Sequence, residues 1–164
     1  MAAAIFALLG ALIGASGALV VELIRTRAEN LRLRQETLRL TCADFTAEVS
    51  HLWNLDLELK AKPADTELAS SIHETFWKAR MHYEQLRLTA ASENVQKEAR
   101  YVLRYAYGLL REREGLPPRG DEKERGPFMM LQDSLKKLVE EVRSEIGVPH
   151  DVYREPDEWM ERDL

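Results

Sequence analysis

Four histidines, a single cysteine and 28 carboxylates are the side chains of this 164-residue sequence that could do chemistry. Di-metal helical bundles need two Glu-x-x-His turns and two further glutamates, so that carboxylates and imidazoles converge between facing helices. The sequence holds one such turn, Glu48 to His51. Ser70, Ala79 and Gly147 stand three residues before His73, His82 and His150, where a glutamate would be needed. His73-Glu74 opens like a zinc-protease turn, but position 77 is Trp where the second histidine belongs. Cys42 alone cannot build a thiolate zinc site. Its spacing from Leu38 and Phe45 reads as core packing. Asp56, Glu58 and Lys60 have the spacing of a metal-nuclease triad, which relies on alternation along a strand; in a helical run they read as a solvated helix end. No Gly-x-Ser-x-Gly elbow and no glycine-rich phosphate loop is present. The expectation is a protein that is not an enzyme, with no catalytic residue, no metal and no cofactor.

One constellation points to binding. Lys97, Arg100, Arg104 and Arg111 share a helix face with Tyr101, Tyr105 and Tyr107 interleaved, a pattern on which bases stack and phosphates pair. Glu93, Glu98, Glu112 and Glu114 lie on the same helix, so a solvated face laced with i,i+4 pairs is the plainer reading. A net charge of -5 leaves no footprint for nucleic acid, and none is expected as a partner.

The elements that would carry these residues divide sharply. No charged residue precedes Glu22, and sixteen of the twenty positions from Ala2 to Val21 are Ala, Ile, Phe, Leu or Val. Twenty helical residues span about 30 Å, the hydrocarbon thickness of a bilayer. The reading is a transmembrane anchor over residues 1–24. Arg25, Arg27, Arg32, Arg34 and Arg39 follow it and predict a single pass with the N-terminus outside and the body cytoplasmic, at a cell membrane. Gly10, Gly14 and Ala18 stand four apart, a small-residue face for close helix packing and for a homo-oligomer through the anchor. Arg25, Arg27, Arg32 and Arg34 are the expected contacts to lipid headgroups.

Beyond the anchor the period is helical. Ile24, Leu31, Leu38, Phe45, Leu52 and Leu59 stand seven apart, with a mixed second seam of Ala28, Gln35, Cys42, Val49 and Asp56. This predicts a stalk passing into the first bundle helix over 25–62, its lower part like a coiled coil without two fully apolar seams. Helices follow at roughly 65–89 with Asp65 as N-cap, at roughly 92–114 with Ser92 as cap, and at roughly 127–146 from Pro127. Nothing between Thr89 and Ser92 forbids one continuous helix there. Residues 115–126, rich in Gly, Pro and charge, read as a flexible exposed linker within 63–147. Residues 148–164 hold six acids against two bases and read as a disordered acidic tail with Val152, Tyr153, Trp159 and Met160 as docking side chains. No alternating strand pattern is found.

The fold expected is all-α: an N-terminal transmembrane helix running into a long helix and an antiparallel three- to four-helix bundle. The function expected is a single-pass membrane-anchored helical interaction or scaffold protein that binds protein partners at the inner face of the membrane. Two alternatives stand beside it. One is a secreted or periplasmic binding protein released by signal cleavage; the other is a membrane-active effector that oligomerises through its anchor.

Overall fold

The computed structural model describes residues 2–148, with side chains from Val21 onward. Among the described residues there are four α-helices and no strand: α1 (Ala2–Ala61), α2 (Thr66–Thr89), α3 (Glu93–Arg113) and α4 (Glu122–Glu145). The all-α class and the helical bundle are therefore as the periodicity implies. The side chains of the apolar run before Val21, and residues 149–164 of the acidic tail, lie outside the described residues. Among the described residues no helix is long and apolar enough to cross a membrane.

The chain forms two compact units, residues 1–36 and residues 37–164. In the first, every described side chain from Val21 to Glu36 is exposed except the half-buried Gln35. Arg25 donates from Nε to a carboxylate oxygen of Glu29 one turn on, at 3.0 Å.

In the second unit the seven-residue row is covered. Leu38, Phe45, Leu52 and Leu59 are buried, and so are Cys42, Val49 and Asp56 of the mixed seam. Ile72, Phe76, Ala79, Tyr83 and Leu86 of α2 join them. Val95, Ala99, Val102, Ala106 and Leu109 of α3 and Leu131, Leu138 and Val142 of α4 complete the core. Side-chain pairs fix the helix directions. Phe45 meets Tyr83 at 6.3 Å between ring centroids, Trp53 meets Phe128 at 4.5 Å, and Asp56 meets Arg113 at the far ends of α1 and α3. So α1 and α3 run one way and α2 and α4 the other, which lets short turns join them.

The joints have separate causes. Asp65 accepts from the backbone N–H of Glu67 and Leu68, capping α2 as its position implies. Ser92 occupies the N-cap position of α3 but makes no side-chain capping bond. Glu145, at the other end of the sequence, supplies the acceptors: its carboxylate takes the N–H of Ala91 at 2.7 Å and of Ser92 at 3.1 Å. The chain thus breaks at 90–92 and does not run on as one helix. Helix α4 begins five residues before Pro127 with a single turn. Gly126, at φ 72° and ψ 157°, then breaks it, a conformation open only to glycine, and Pro127 restarts the helix. The stretch read as an exposed linker is open at 114–118, yet its Glu122 is only 2% exposed.

Candidate functional site

A groove of the bundle lies between α2 and α3. On α2, Phe76 sits in the core stripe, and Trp77, one residue on, is turned outward and 56% exposed. Arg80 stands three residues further, so its guanidinium reaches back over the Trp77 ring at 5.1 Å from the centroid. On α3, Arg100, Leu103, Arg104 and Tyr107 follow helical spacing and present one face. Tyr107 closes the base against Phe76, ring centroids 5.6 Å apart. Arg119 lies over Tyr107 at 5.4 Å. The open groove has a volume of about 400 Å³, with an aromatic floor and arginine walls.

Arg104 is partly committed. Its Nη2 donates to Asp121 at 2.7 Å, and the buried Tyr105 donates its hydroxyl to the other oxygen of Asp121 at 3.0 Å. Burial pushes the Asp121 carboxyl up, but the bonds from Tyr105, its own backbone and Arg104 outweigh this and hold it below the ordinary range. The same arrangement pushes the Tyr105 phenol up to about 12, first through burial and then through the Asp121 carboxylate. The Nε of Arg104 is buried without a hydrogen-bond partner.

A second cavity of about 210 Å³ lies where α3 meets the start of α4. Glu122 accepts the backbone N–H of Arg119 at 2.8 Å through one oxygen, while its other oxygen is buried and unpartnered.

The face read from the sequence is therefore split. Arg100 and Arg104 join Tyr107 in the groove, but Arg111 turns to the second cavity and donates to the Pro117 carbonyl at 3.0 Å. Tyr101 stacks on Tyr105 at 6.1 Å, and Lys97 is exposed. Trp77 and Arg80, absent from that reading, carry the outer wall. The signal for them was a tryptophan off the apolar stripe of α2 with an arginine one turn later.

No protein family, curated protein or solved structure matches this chain.

The groove is thus read from its own chemistry. Among the described residues no three of His, Cys, Asp and Glu stand close enough to hold a metal ion. His51 is exposed and Glu48 half-buried on α1. Burial pushes the Cys42 thiol up to about 11, which makes it a poor nucleophile at neutral pH. The Asp56 carboxylate, expected at a solvated helix end, is buried instead and bonded to Arg113 from α3 at 2.6 Å. Arg25, Arg27, Arg32 and Arg34 are exposed on α1, and Gly10, Gly14 and Ala18 precede the residues with described side chains.

Proposed function

We propose that the chain is a single-pass, membrane-anchored interaction or scaffold protein whose helical bundle docks protein partners at the inner face of the membrane. The observation that carries the docking role is the exposed Trp77, flanked by Arg80 and Arg100 above the Phe76–Tyr107 floor. Water-exposed tryptophan beside arginine is the composition of an interface hot spot. Three arginines around an apolar floor suit an acidic partner segment that carries one aliphatic or aromatic side chain. The side chain fills the floor, and its neighbouring carboxylates meet Arg80 and Arg100.

The tether rests on the sequence. A run of twenty residues, sixteen of them Ala, Ile, Phe, Leu or Val, supplies the span, Gly10, Gly14 and Ala18 its close-packing face, and Arg25, Arg27, Arg32 and Arg34 the positive flank that sets its orientation. Residues 148–164 carry six acids against two bases.

Carbonate extraction of membranes from cells expressing the full chain with a C-terminal tag tests the tether. The tag is expected in the pellet at full length; a soluble band shortened by about 2 kDa marks a cleaved signal and overturns the topology. A fluorescent peptide with acidic residues around one tryptophan tests the groove. Trp77→Ala and the pair Arg80→Glu, Arg100→Glu are each expected to weaken its binding at least about tenfold. Unchanged binding in both variants removes the groove from the docking role.

A further inference from the structure

Val21, Ile24, Ala28, Leu31 and Gln35 succeed one another by three, four, three and four residues. The same rhythm continues as Leu38, Cys42, Phe45, Val49 and Leu52. From Leu38 onward these side chains are buried in the bundle. Before it the large apolar ones are exposed: Val21 is 66% exposed, Ile24 61% and Leu31 56%. A row at three-four spacing is the seam of a left-handed coiled coil, in which each apolar side chain fits a hole on a facing helix. Among the described residues nothing covers Val21, Ile24 or Leu31, three apolar positions of this seam.

Charge decides what faces it. The positions bordering the seam carry Arg25 and Arg32 on one side and Arg27 and Arg34 on the other, while Glu22, Glu29 and Glu36 fall further out. In a parallel pair of identical chains, Arg27 of one copy would border Arg32 of the second, and Arg34 would border Arg39. In an antiparallel pair each bordering arginine again meets an arginine. Like charges at these positions set partner choice by repulsion, so a second copy is the disfavoured occupant. Lipid headgroups can take Arg25 and Arg27, but Leu31 stands ten residues beyond Val21, about 15 Å along a helix. Headgroups at the end of the span do not cover it.

We propose that the segment from Val21 to Arg34 is a docking surface for an amphipathic helix of a partner protein, one with an aliphatic seam and acidic bordering positions. The partner's carboxylates meet Arg25, Arg27, Arg32 and Arg34, and its seam covers Ile24 and Leu31. This surface is independent of the groove between α2 and α3, and it stands whether or not that groove binds.

The test uses the full chain in neutral detergent micelles and two synthetic peptides of about three heptads with the same Ile/Leu seam, one bordered by Glu and one by Lys. The Glu peptide is expected to bind at least about tenfold more tightly than the Lys peptide, and to weaken as salt is added. Ile24→Ser with Leu31→Ser is expected to abolish that binding while helix content and the unfolding midpoint of the bundle stay unchanged. Arg27→Glu with Arg34→Glu reads the same rule as a gain. It places glutamate against Arg32 and Arg39 of a second copy, so the variant is expected to self-associate beyond the unsubstituted chain. Equal binding of the two peptides overturns the proposal. So does self-association of the unsubstituted chain that Leu31→Ser removes, because a second copy then covers the seam. Failure of the Glu peptide alongside binding to phosphatidylserine vesicles assigns the arginines to lipid and overturns it as well.

Discussion

Asp56 is only 2% exposed in the bundle, and two cations stand beside its carboxylate. Arg113 donates from Nε to its carboxylate at 2.6 Å and from Nη2 to its backbone carbonyl at 2.8 Å. Lys60 forms an ion pair with the second oxygen at 3.1 Å. A carboxylate taken out of water is costly unless such a partner remains. Arg113→Ala is therefore expected to destabilise the bundle by about 3 kcal/mol in urea unfolding, since it removes both hydrogen bonds and leaves Lys60 alone beside the buried carboxylate. Asp56→Leu combined with Arg113→Leu is expected to recover most of that loss, because neither charge is then buried alone. If the double variant is as unstable as Arg113→Ala, the pair's role lies in packing and not in charge. The sequence places Asp56 among Glu58 and Lys60 and so suggests a wet helix end. Its true partner stands 57 residues away, a distance over which no local spacing speaks.

At the scale of the elements, the apolar stripes were legible because each helix has one face to bury. Ile72 to Leu86, and Val95 to Leu109, recur at three and four residues, and the structure buries them. The unread parts are those with no period. The turn from Glu122 to Arg125 is four charged residues, and only its docking on α3 reveals it. Glu145 resembles any exposed acid until its carboxylate is found on the 91–92 backbone. Half of the groove was visible on α3; the half on α2 depends on which way Trp77 turns. Gly108 is another such position. A Cβ there would stand 2.8 Å from Cβ of Pro127 and 3.0 Å from a carboxylate oxygen of Glu122, so only glycine lets α3 approach the kink of α4 this closely. In an open helix Gly→Ala stabilises by about 1 kcal/mol. Here the overpacking of about 1–3 kcal/mol outweighs that gain, since a proline ring cannot yield as a flexible side chain does. Gly108→Ala is expected to lower the thermal midpoint, and a raised midpoint would show that the contact relaxes freely.

For the molecule as a whole, the shifted groups set a stability window in pH. Cys42 and Tyr105 are both held protonated: Cys42 by burial, Tyr105 first by burial and then by Asp121. Unfolding returns the thiol to 9.0 and the phenol to 10.0, where each loses its proton sooner. A group whose folded value is raised contributes stability that is complete below its unfolded value and lost as pH rises toward the folded one. The Cys42 contribution is therefore lost from about pH 9 to 11, and that of Tyr105 from about pH 10 to 12. Asp121 acts in the opposite sense. Its folded value lies below 3.8, so its contribution is present above that value and falls away as the solution becomes more acid. Urea midpoints are then expected to be flat from about pH 5 to 8 and to fall on both sides. Tyr105→Phe is expected to remove the part of the alkaline fall above pH 10 while leaving the part due to the thiol. Cys42 gives the same window a chemical readout. At pH 8.5 its alkylation by iodoacetamide is expected to be roughly a hundredfold slower in the folded chain than in urea, the ratio that two pH units of thiolate imply. Equal rates would mean that the thiol is open to solvent, and the alkaline limb would then have to come from Tyr105 alone.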